Sequence, residues 1–116
     1  MRRLFPLAAA LALAAPAAAL AHDGAHDSYT INGKEFDFSK DEMVVKAGAP
    51  VTITFQNEGR ISHNLAIPEL GVTTETIQGG KTATLTFTPE GAGTYRFICS
   101  VPGHAQAGMH GKLIVQ

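Results

Sequence analysis

The stretch Gly93–Met109 reads GTYRFICSVPGHAQAGM and joins two different local patterns. In its first seven residues, Tyr95, Phe97 and Cys99 alternate with Arg96 and Ile98. This alternation is typical of a strand with one buried face. The ten residues that follow are mostly small and include a proline, which favours a loop. The sequence therefore predicts a strand that carries Cys99 toward the core and then turns back through a loop.

This loop combines three side chains that can bind a soft metal ion. Cys99, His104 and Met109 follow the spacing C-x4-H-x4-M and offer a thiolate, an imidazole and a thioether. The pair Pro102-Gly103 allows the chain to turn back toward Cys99, and Gly108 does the same for Met109. A lone buried cysteine is most simply an inert thiol. With a histidine and a methionine at this spacing, Cys99 is better interpreted as a metal ligand.

His63 is the candidate for a fourth ligand. It precedes the apolar stretch 64–67 and follows the turn-prone segment 57–62, so it can face a loop at the same end of a sandwich. Two imidazoles, one thiolate and a weak axial methionine form the donor set of a blue-copper electron-transfer centre. Structural zinc sites more often use several cysteines. Affinity alone does not exclude zinc from such a pocket.

The rest of the chain predicts a sheet protein. Glycine and proline turns separate short alternating or apolar runs, and no sustained helical period follows the N-terminal stretch. Residues 68–71 favour a single helical turn at most. The predicted strands are Tyr29–Ile31, Met43–Lys46, Val51–Phe55, His63–Ile67, Thr73–Ile77, Thr82–Thr88, Gly93–Cys99 and Lys112–Val115. This pattern predicts an all-β fold, an antiparallel Greek-key sandwich or barrel of seven to eight strands.

The N-terminal stretch resembles a secretory signal. Arg2 and Arg3 precede an almost wholly apolar run, and Ala19-Leu20-Ala21 has the small-x-small pattern of a cleavage site. We expect a signal peptide at residues 1–21, a flexible polar segment at 22–28 and one domain at 29–116. Its prolines and length make the apolar run a poor membrane anchor. No second apolar segment suggests a membrane span, so we expect no stable span after removal of the signal.

Charge and cysteine usage restrict the function further. Removing Arg2 and Arg3 leaves seven Lys/Arg against ten Asp/Glu, a net charge of −3 with neutral histidines. No basic stripe indicates nucleic-acid binding. Export would place the protein in a compartment where disulfides form, yet Cys99 is the single cysteine of the sequence and has no internal partner. Such a thiol is either buried, paired with another chain, or a metal ligand.

Together these motifs resemble the cupredoxins, the type 1 blue-copper proteins of the plastocyanin, azurin and rusticyanin-like superfamily. The similarity covers nearly all of Phe36–Gln116. The motifs that carry it are GTYRFIC at 93–99, Pro102-Gly103-His104, Gly108-Met109, Gly111-Lys112, Ser62-His63-Asn64, and the early-strand region 38–55 with Val44-Val45-Lys46-Ala47-Gly48.

The resemblance implies roles for individual residues. His63 and His104 would bind one copper ion through ring nitrogens, Cys99 through its thiolate, and Met109 as the weak axial ligand. Asn64 would tie the two ligand segments together, with Ser100 as its partner. His104 would be the exposed ligand through which electrons enter and leave. Around it, a small-residue docking patch is expected, formed by Pro102, Gly103, Ala105, Ala107 and Gly108.

The function expected from this site is that of a periplasmic, monomeric electron carrier. Its copper would cycle between Cu(II) and Cu(I) by outer-sphere transfer, with a c-type cytochrome or a periplasmic reductase or oxidase as partner. A copper storage or delivery protein is the alternative. An enzyme is not expected, because no carboxylate or amide is evidently placed to orient His104 as a base for Cys99. If cleavage follows Ala21, the free amine of His22 and the imidazoles of His22 and His26 could bind copper separately. A disordered polar tail is the simpler interpretation of these residues.

Overall fold

The computed structural model describes residues 26–116. The predicted signal peptide, residues 1–21, and His22 therefore lie outside the described residues. The described chain forms nine β-segments and one short 3-10 turn at Pro68–Leu70. The strands are β1 (Asp27–Lys34), β2 (Asp37–Phe38), β3 (Glu42–Val45), β4 (Val51–Asn57), β5 (Ala66–Ile67), β6 (Val72–Thr73), β7 (Thr82–Phe87), β8 (Gly93–Ile98) and β9 (His110–Val115).

The strands form two sheets, which confirms the all-β prediction. One sheet has the order β2-β1-β4-β7 and the other has the order β3-β9-β8-β5-β6. The expectation of purely antiparallel pairing was wrong, because β1 pairs with β4 and β3 pairs with β9 in parallel. Parallel neighbours cannot be joined by a tight hairpin. Here the chain passes to the other sheet at β3 before β4 returns beside β1.

The core lies between the two sheets and follows the predicted alternation. Val51, Ile53 and Phe55 of β4 are fully buried, whereas the threonines between them are only partly covered. The even-numbered threonines of residues 82–88 are exposed, as expected for the solvent face of β7. Cross-strand pairs such as Ile53 with Leu85 continue the buried face from β4 to β7.

Two predicted strands are much shorter in the structure. In place of paired strands at 63–67 and 73–77, β5 and β6 have two residues each, and His63 and Ile77 form an isolated bridge. The reason is a side chain that replaces part of the ladder: Thr74 Oγ1 accepts a hydrogen bond from the Leu65 N–H at 3.0 Å. At the other end of the fold, β1 begins at Asp27, so the predicted flexible segment 22–28 ends inside a strand.

Within residues 26–116, no helix has the length and the apolar character needed to cross a membrane.

Candidate metal centre

The loop between β8 and β9 is closed by its own backbone. The Cys99 N–H donates to the Met109 carbonyl at 3.1 Å, and the Met109 N–H donates to the His104 carbonyl at 3.1 Å. Between them, the His104 N–H donates to the Val101 carbonyl at 3.0 Å. These bonds hold the three predicted ligands of the loop at fixed relative positions.

One glycine allows this loop to pack against the turn between β1 and β2. Gly108 has a φ of 128°, and a Cβ at this position would lie 2.9 Å from the Phe36 carbonyl oxygen. A side chain would therefore meet both an unfavourable backbone conformation and a close neighbour. This contact places the turn 35–36 beside the loop.

His63 reaches the same place from the other part of the chain. It is fully buried, and its backbone exchanges two hydrogen bonds with Ile77, at 3.1 and 2.9 Å. The turn before it is held by Asn57, whose side-chain amide donates to the carbonyls of Ile61 and Ile77. The position of His63 thus depends on backbone contacts 14 residues away along the chain.

The donor atoms of three predicted ligands converge. His63, Cys99 and His104 each offer one ligand atom, and these atoms lie within 4.8 Å of one another. Cys99 Sγ is 3.8 Å from His63 Nδ1 and 3.5 Å from His104 Nδ1, and the two Nδ1 atoms are 3.1 Å apart. Bonds of about 2.0 Å to nitrogen and about 2.3 Å to sulfur, the zinc values, put ligands of a tetrahedral or trigonal ion roughly 3.3–3.7 Å apart. The two sulfur–nitrogen separations lie close to this range, and the 3.1 Å between the two Nδ1 atoms is a few tenths of an ångström shorter, so the cluster has the size of a single-ion site.

Met109 is the fourth predicted ligand. Its side chain is fully buried, and its methyl group lies over Gly33 of β1. Its backbone is hydrogen-bonded to the backbone of both Cys99 and His104, so it closes the same loop. With the other three residues, this arrangement is typical of a single type 1 copper site.

Asn64 and Ser100, which the resemblance to cupredoxins implies as partners, are in direct contact. Asn64 Nδ2 donates to Ser100 Oγ at 2.8 Å, and the Ser100 N–H donates to Asn64 Oδ1 at 2.8 Å. Asn64 Nδ2 also lies 3.0 Å from Thr76 Oγ1. Since Asn64 follows His63 and Ser100 follows Cys99, these bonds join the two segments that carry the ligands.

His104 is less accessible than expected. Only 9% of the residue is exposed, and the ring of Phe36 packs edge-on against its imidazole, with centroids 5.1 Å apart. His104 is therefore only slightly exposed, because the turn 35–36 covers its ring. Phe36 itself is 40% exposed and has a positive φ of 68°.

The small residues around His104 lie at the surface of the loop. Pro102, Gly103 and Ala107 are exposed, and Ala105 and Gly108 are half-buried. His110 is exposed and lies outside the donor cluster. Of the two N-terminal histidines, His26 Nε2 lies 2.8 Å from Thr52 Oγ1, whereas His22 is outside the described residues.

Glu35 was not anticipated from the sequence. Its Oε1 lies 2.9 Å from His63 Nε2, the ring nitrogen on the side opposite the donor cluster. Glu35 and His63 are 28 residues apart, and no local pattern relates an acidic residue in a turn to a distant histidine. Only the packing of the turn 35–36 against the segment 59–63 brings them together.

Two groups at the site have shifted pKa values. Burial lowers the pKa of His104, which favours the neutral imidazole that can bind a metal. Hydrogen bonds from the Arg60 N–H, and then from His63, lower the pKa of Glu35, so its carboxyl is ionised near neutral pH.

Comparisons with known proteins agree with this geometry. The family described as cupredoxin-like domain matches residues 4–115. Auracyanin-A of Chloroflexus aurantiacus is 32% identical over 113 aligned positions, covering 72% of this chain and 69% of that protein. Rusticyanin of Acidithiobacillus ferridurans is 34% identical over 92 positions, covering 64% of this chain and 49% of its own length.

Among solved structures, auracyanin A from Chloroflexus aurantiacus, described as a "blue" copper protein, matches with a TM-score of 0.70 and 30% identity. The match covers 78% of this chain and 99% of that structure. The family match, the two-sheet fold and the converging histidines and cysteine lead to one conclusion: this chain belongs to the cupredoxin-like family, with one type 1 copper as its cofactor.

Proposed function

We propose that the protein is an electron carrier in which His63 Nδ1, Cys99 Sγ, His104 Nδ1 and Met109 bind one copper ion. The observation that supports this most directly is the convergence of three donor atoms within 4.8 Å at the end of a two-sheet fold. Copper at such a site supplies a one-electron change between Cu(II) and Cu(I). Outer-sphere transfer is proposed, because it requires no bond to form or break in a substrate.

The role of the chain is to keep the ligands in place. The backbone bonds of the loop 99–109 and the His63–Ile77 bridge hold the donors, and the Asn64–Ser100 pair links the two segments that carry them. The donor residues are buried, so few water molecules need to reorganise when the charge changes. Both features reduce the rearrangement that accompanies electron transfer.

We further propose that electrons pass through His104 and the surface around it. The docking patch of five small residues surrounds this histidine in sequence, and the exposed part of Phe36 adjoins it. Transient redox complexes bury little surface, which suits a small apolar patch. The partner we expect is a c-type cytochrome or a periplasmic reductase or oxidase, with this protein as a monomer.

We also propose a periplasmic location. The support is the pattern of residues 1–21, with two arginines, an apolar run and a small-x-small site. Cys99 is consistent with an oxidising compartment, because a ligand role would protect this single thiol. Loss of residues 1–21 from the protein recovered from periplasmic extracts, measured by mass spectrometry, would support this proposal; an intact N-terminus would contradict it.

Electron exchange tests the carrier function. With copper-loaded protein and a reduced c-type cytochrome, we expect fast second-order oxidation of the cytochrome without copper loss to a chelator. Copper transfer to the chelator that outpaces electron exchange would instead support storage or delivery.

The docking patch has its own matched test. Ala107→Glu should slow the second-order reaction while the reduction potential stays unchanged. Thr84→Glu adds the same charge to an exposed position of β7 and should leave the rate unchanged. Equal rates for both variants would exclude the patch around His104 as the docking surface.

A further inference from the structure

We propose that Glu35 is a positioning residue that fixes the ring tautomer and orientation of His63 and, through this ring, the electron-donating strength of the copper ligand. The inference rests on the proposed copper site and adds a specific residue to it. Glu35 touches neither the donor atoms of Cys99 nor those of His104. Its hydrogen bond would act on the donor cluster through the His63 ring.

The hydrogen bond determines which nitrogen of His63 carries the proton. Glu35 Oε1 is 2.9 Å from Nε2, and an ionised carboxylate can only accept. In the neutral ring, Nε2 must therefore carry the hydrogen, and Nδ1 keeps its lone pair. Nδ1 is the atom that faces Cys99 Sγ and His104 Nδ1. The contact thus selects the tautomer whose free lone pair points into the donor cluster.

Glu35 is itself held in place by the backbone. The Arg60 N–H lies 3.0 Å from both carboxylate oxygens, and the Ile61 N–H lies 3.5 Å from Oε1. The side chain is 32% exposed, so these bonds, rather than deep burial, fix its orientation. The carboxylate therefore connects the turn 35–36 to the segment 60–63 and does not move as a free surface group.

Gly59 provides the space for this arrangement. A Cβ at residue 59 would overlap Glu35 Oε1 and would lie 3.1 Å from His63 Nε2. The Gly59 N–H donates to Asn57 Oδ1 at 2.9 Å, which holds the glycine beside the carboxylate. A larger residue here would push the carboxylate away from the ring. The turn 57–61 is therefore shaped around the contact between Glu35 and His63.

The negative charge has a direct consequence for a bound metal. A carboxylate hydrogen-bonded to a ligating imidazole increases the basicity of that imidazole. A more basic ligand stabilises Cu(II) more than Cu(I), so Glu35 should lower the reduction potential. Loss of such a partner typically costs 10–100-fold in metal affinity, and we expect Cu(II) affinity to fall by about this factor in Glu35→Ala.

The first test uses the metal-free protein and does not depend on copper. Two-bond 1H–15N spectra at mildly alkaline pH report the tautomer of each neutral histidine ring. We expect His63 in the Nε2–H form in the wild-type protein and in Glu35→Gln, which keeps an oxygen acceptor. In Glu35→Ala, we expect a mixture of tautomers. The Nδ1–H form in the wild-type protein, or an unchanged single Nε2–H form in Glu35→Ala, would overturn the proposal.

The second test uses the copper-loaded protein. Voltammetry should show a higher reduction potential in Glu35→Gln and Glu35→Ala than in the wild-type protein. Glu58→Gln is the matched control: it removes one negative charge from the same region, but its side chain is exposed and makes no hydrogen bond among the described residues. Equal shifts of the reduction potential in Glu58→Gln and Glu35→Gln would show that the loss of any nearby negative charge is sufficient. That result would overturn the proposal.

The two proposals can fail separately. A wild-type protein with the Nε2–H tautomer but no blue-copper spectrum would contradict the copper site and leave the positioning contact established. A blue protein with no tautomer or potential change in either Glu35 variant would contradict only the role of Glu35. Urea unfolding of each variant shows whether it is folded, and Glu35→Gln provides the decisive comparison if Glu35→Ala does not fold.

Discussion

The side chain of Asn64 connects the segment of His63 with the segment of Cys99. It is 5% exposed and makes two hydrogen bonds to Ser100, one to the hydroxyl and one from the backbone N–H. A third polar contact reaches Thr76. A single amide therefore links two parts of the chain that are 36 residues apart.

We expect Asn64→Ala to destabilise the metal-free protein by about 1–2 kcal/mol, because the three part-buried hydrogen bonds of its amide are lost. Ser100→Ala removes only one of the bonds and should cost less. Urea denaturation of both single variants and the double variant measures the coupling between the two side chains. Additive effects in the double variant would contradict a direct energetic link.

His104 gives the metal-free protein a pH-dependent stability. Burial lowers its pKa below the ordinary value of 6.5, whereas the unfolded chain regains that value. Below pH 6.5 the unfolded state therefore binds more protons, and stability falls as the pH decreases toward the lower pKa of the folded state. The lowered pKa of Glu35 acts in the same direction, but only below its ordinary value of 4.5.

We expect the free energy of unfolding of the metal-free protein to decrease between about pH 7.5 and about pH 5.5, and this slope to become smaller in His104→Gln. Urea titrations at a series of pH values provide the measurement. An identical slope in the variant and the wild-type protein would show that His104 is not the residue responsible.

At the scale of elements, the hairpin of β8 and β9 presents the ligand loop. Phe97 of β8 pairs with Gly111 of β9 and is fully buried. A Cβ at residue 111 would overlap the Phe97 ring and would lie 2.7 Å from the Asp41 carbonyl oxygen. The close approach of these strands therefore depends on the missing side chain at Gly111.

Gly111→Ala should destabilise the protein by about 1–3 kcal/mol, the usual cost of overpacking a core. Gly91→Ala is the control, since its Cβ would meet only the Tyr95 hydroxyl at 3.4 Å. The control should stay within about 0.5 kcal/mol of the wild-type protein. Chemical denaturation compares the two, and equal losses would contradict the packing argument.

The elements also show what can be predicted from local sequence. Alternation along β4, β7 and β8 predicted strands and their buried faces, because each pattern has period two and lies within one strand. The pairing of β1 with β4 was not predictable in this way, since direction depends on where the chain crosses between sheets. The short β5 and β6 also escaped prediction, because Thr74 replaces a backbone acceptor with its hydroxyl.

At the site too, features within one segment could be predicted, whereas contacts between distant segments could not. Cys99, His104 and Met109 lie within one loop of 11 residues, so their spacing is visible in the sequence. Glu35 and Phe36 reach His63 and His104 only through the turn between β1 and β2, whose position depends on the whole fold. Residues that contact a site from distant turns leave no periodic or spacing signal.

At the scale of the whole molecule, the two sheets bring three separate parts of the chain to one end. The turn 35–36 follows β1, the segment 57–63 follows β4, and the loop 99–109 joins β8 to β9. These parts meet around the converging donor atoms of His63, Cys99 and His104. The framework therefore explains why ligands 41 residues apart can surround one ion.

The optical spectrum of the purified protein after addition of one equivalent of Cu(II) tests the central claim most directly. A thiolate, two imidazoles and an axial methionine predict an intense blue absorption band at about 600 nm. This band should disappear in Cys99→Ser, while circular dichroism shows that the fold is retained. A colourless copper adduct of the folded wild-type protein would contradict the proposed site.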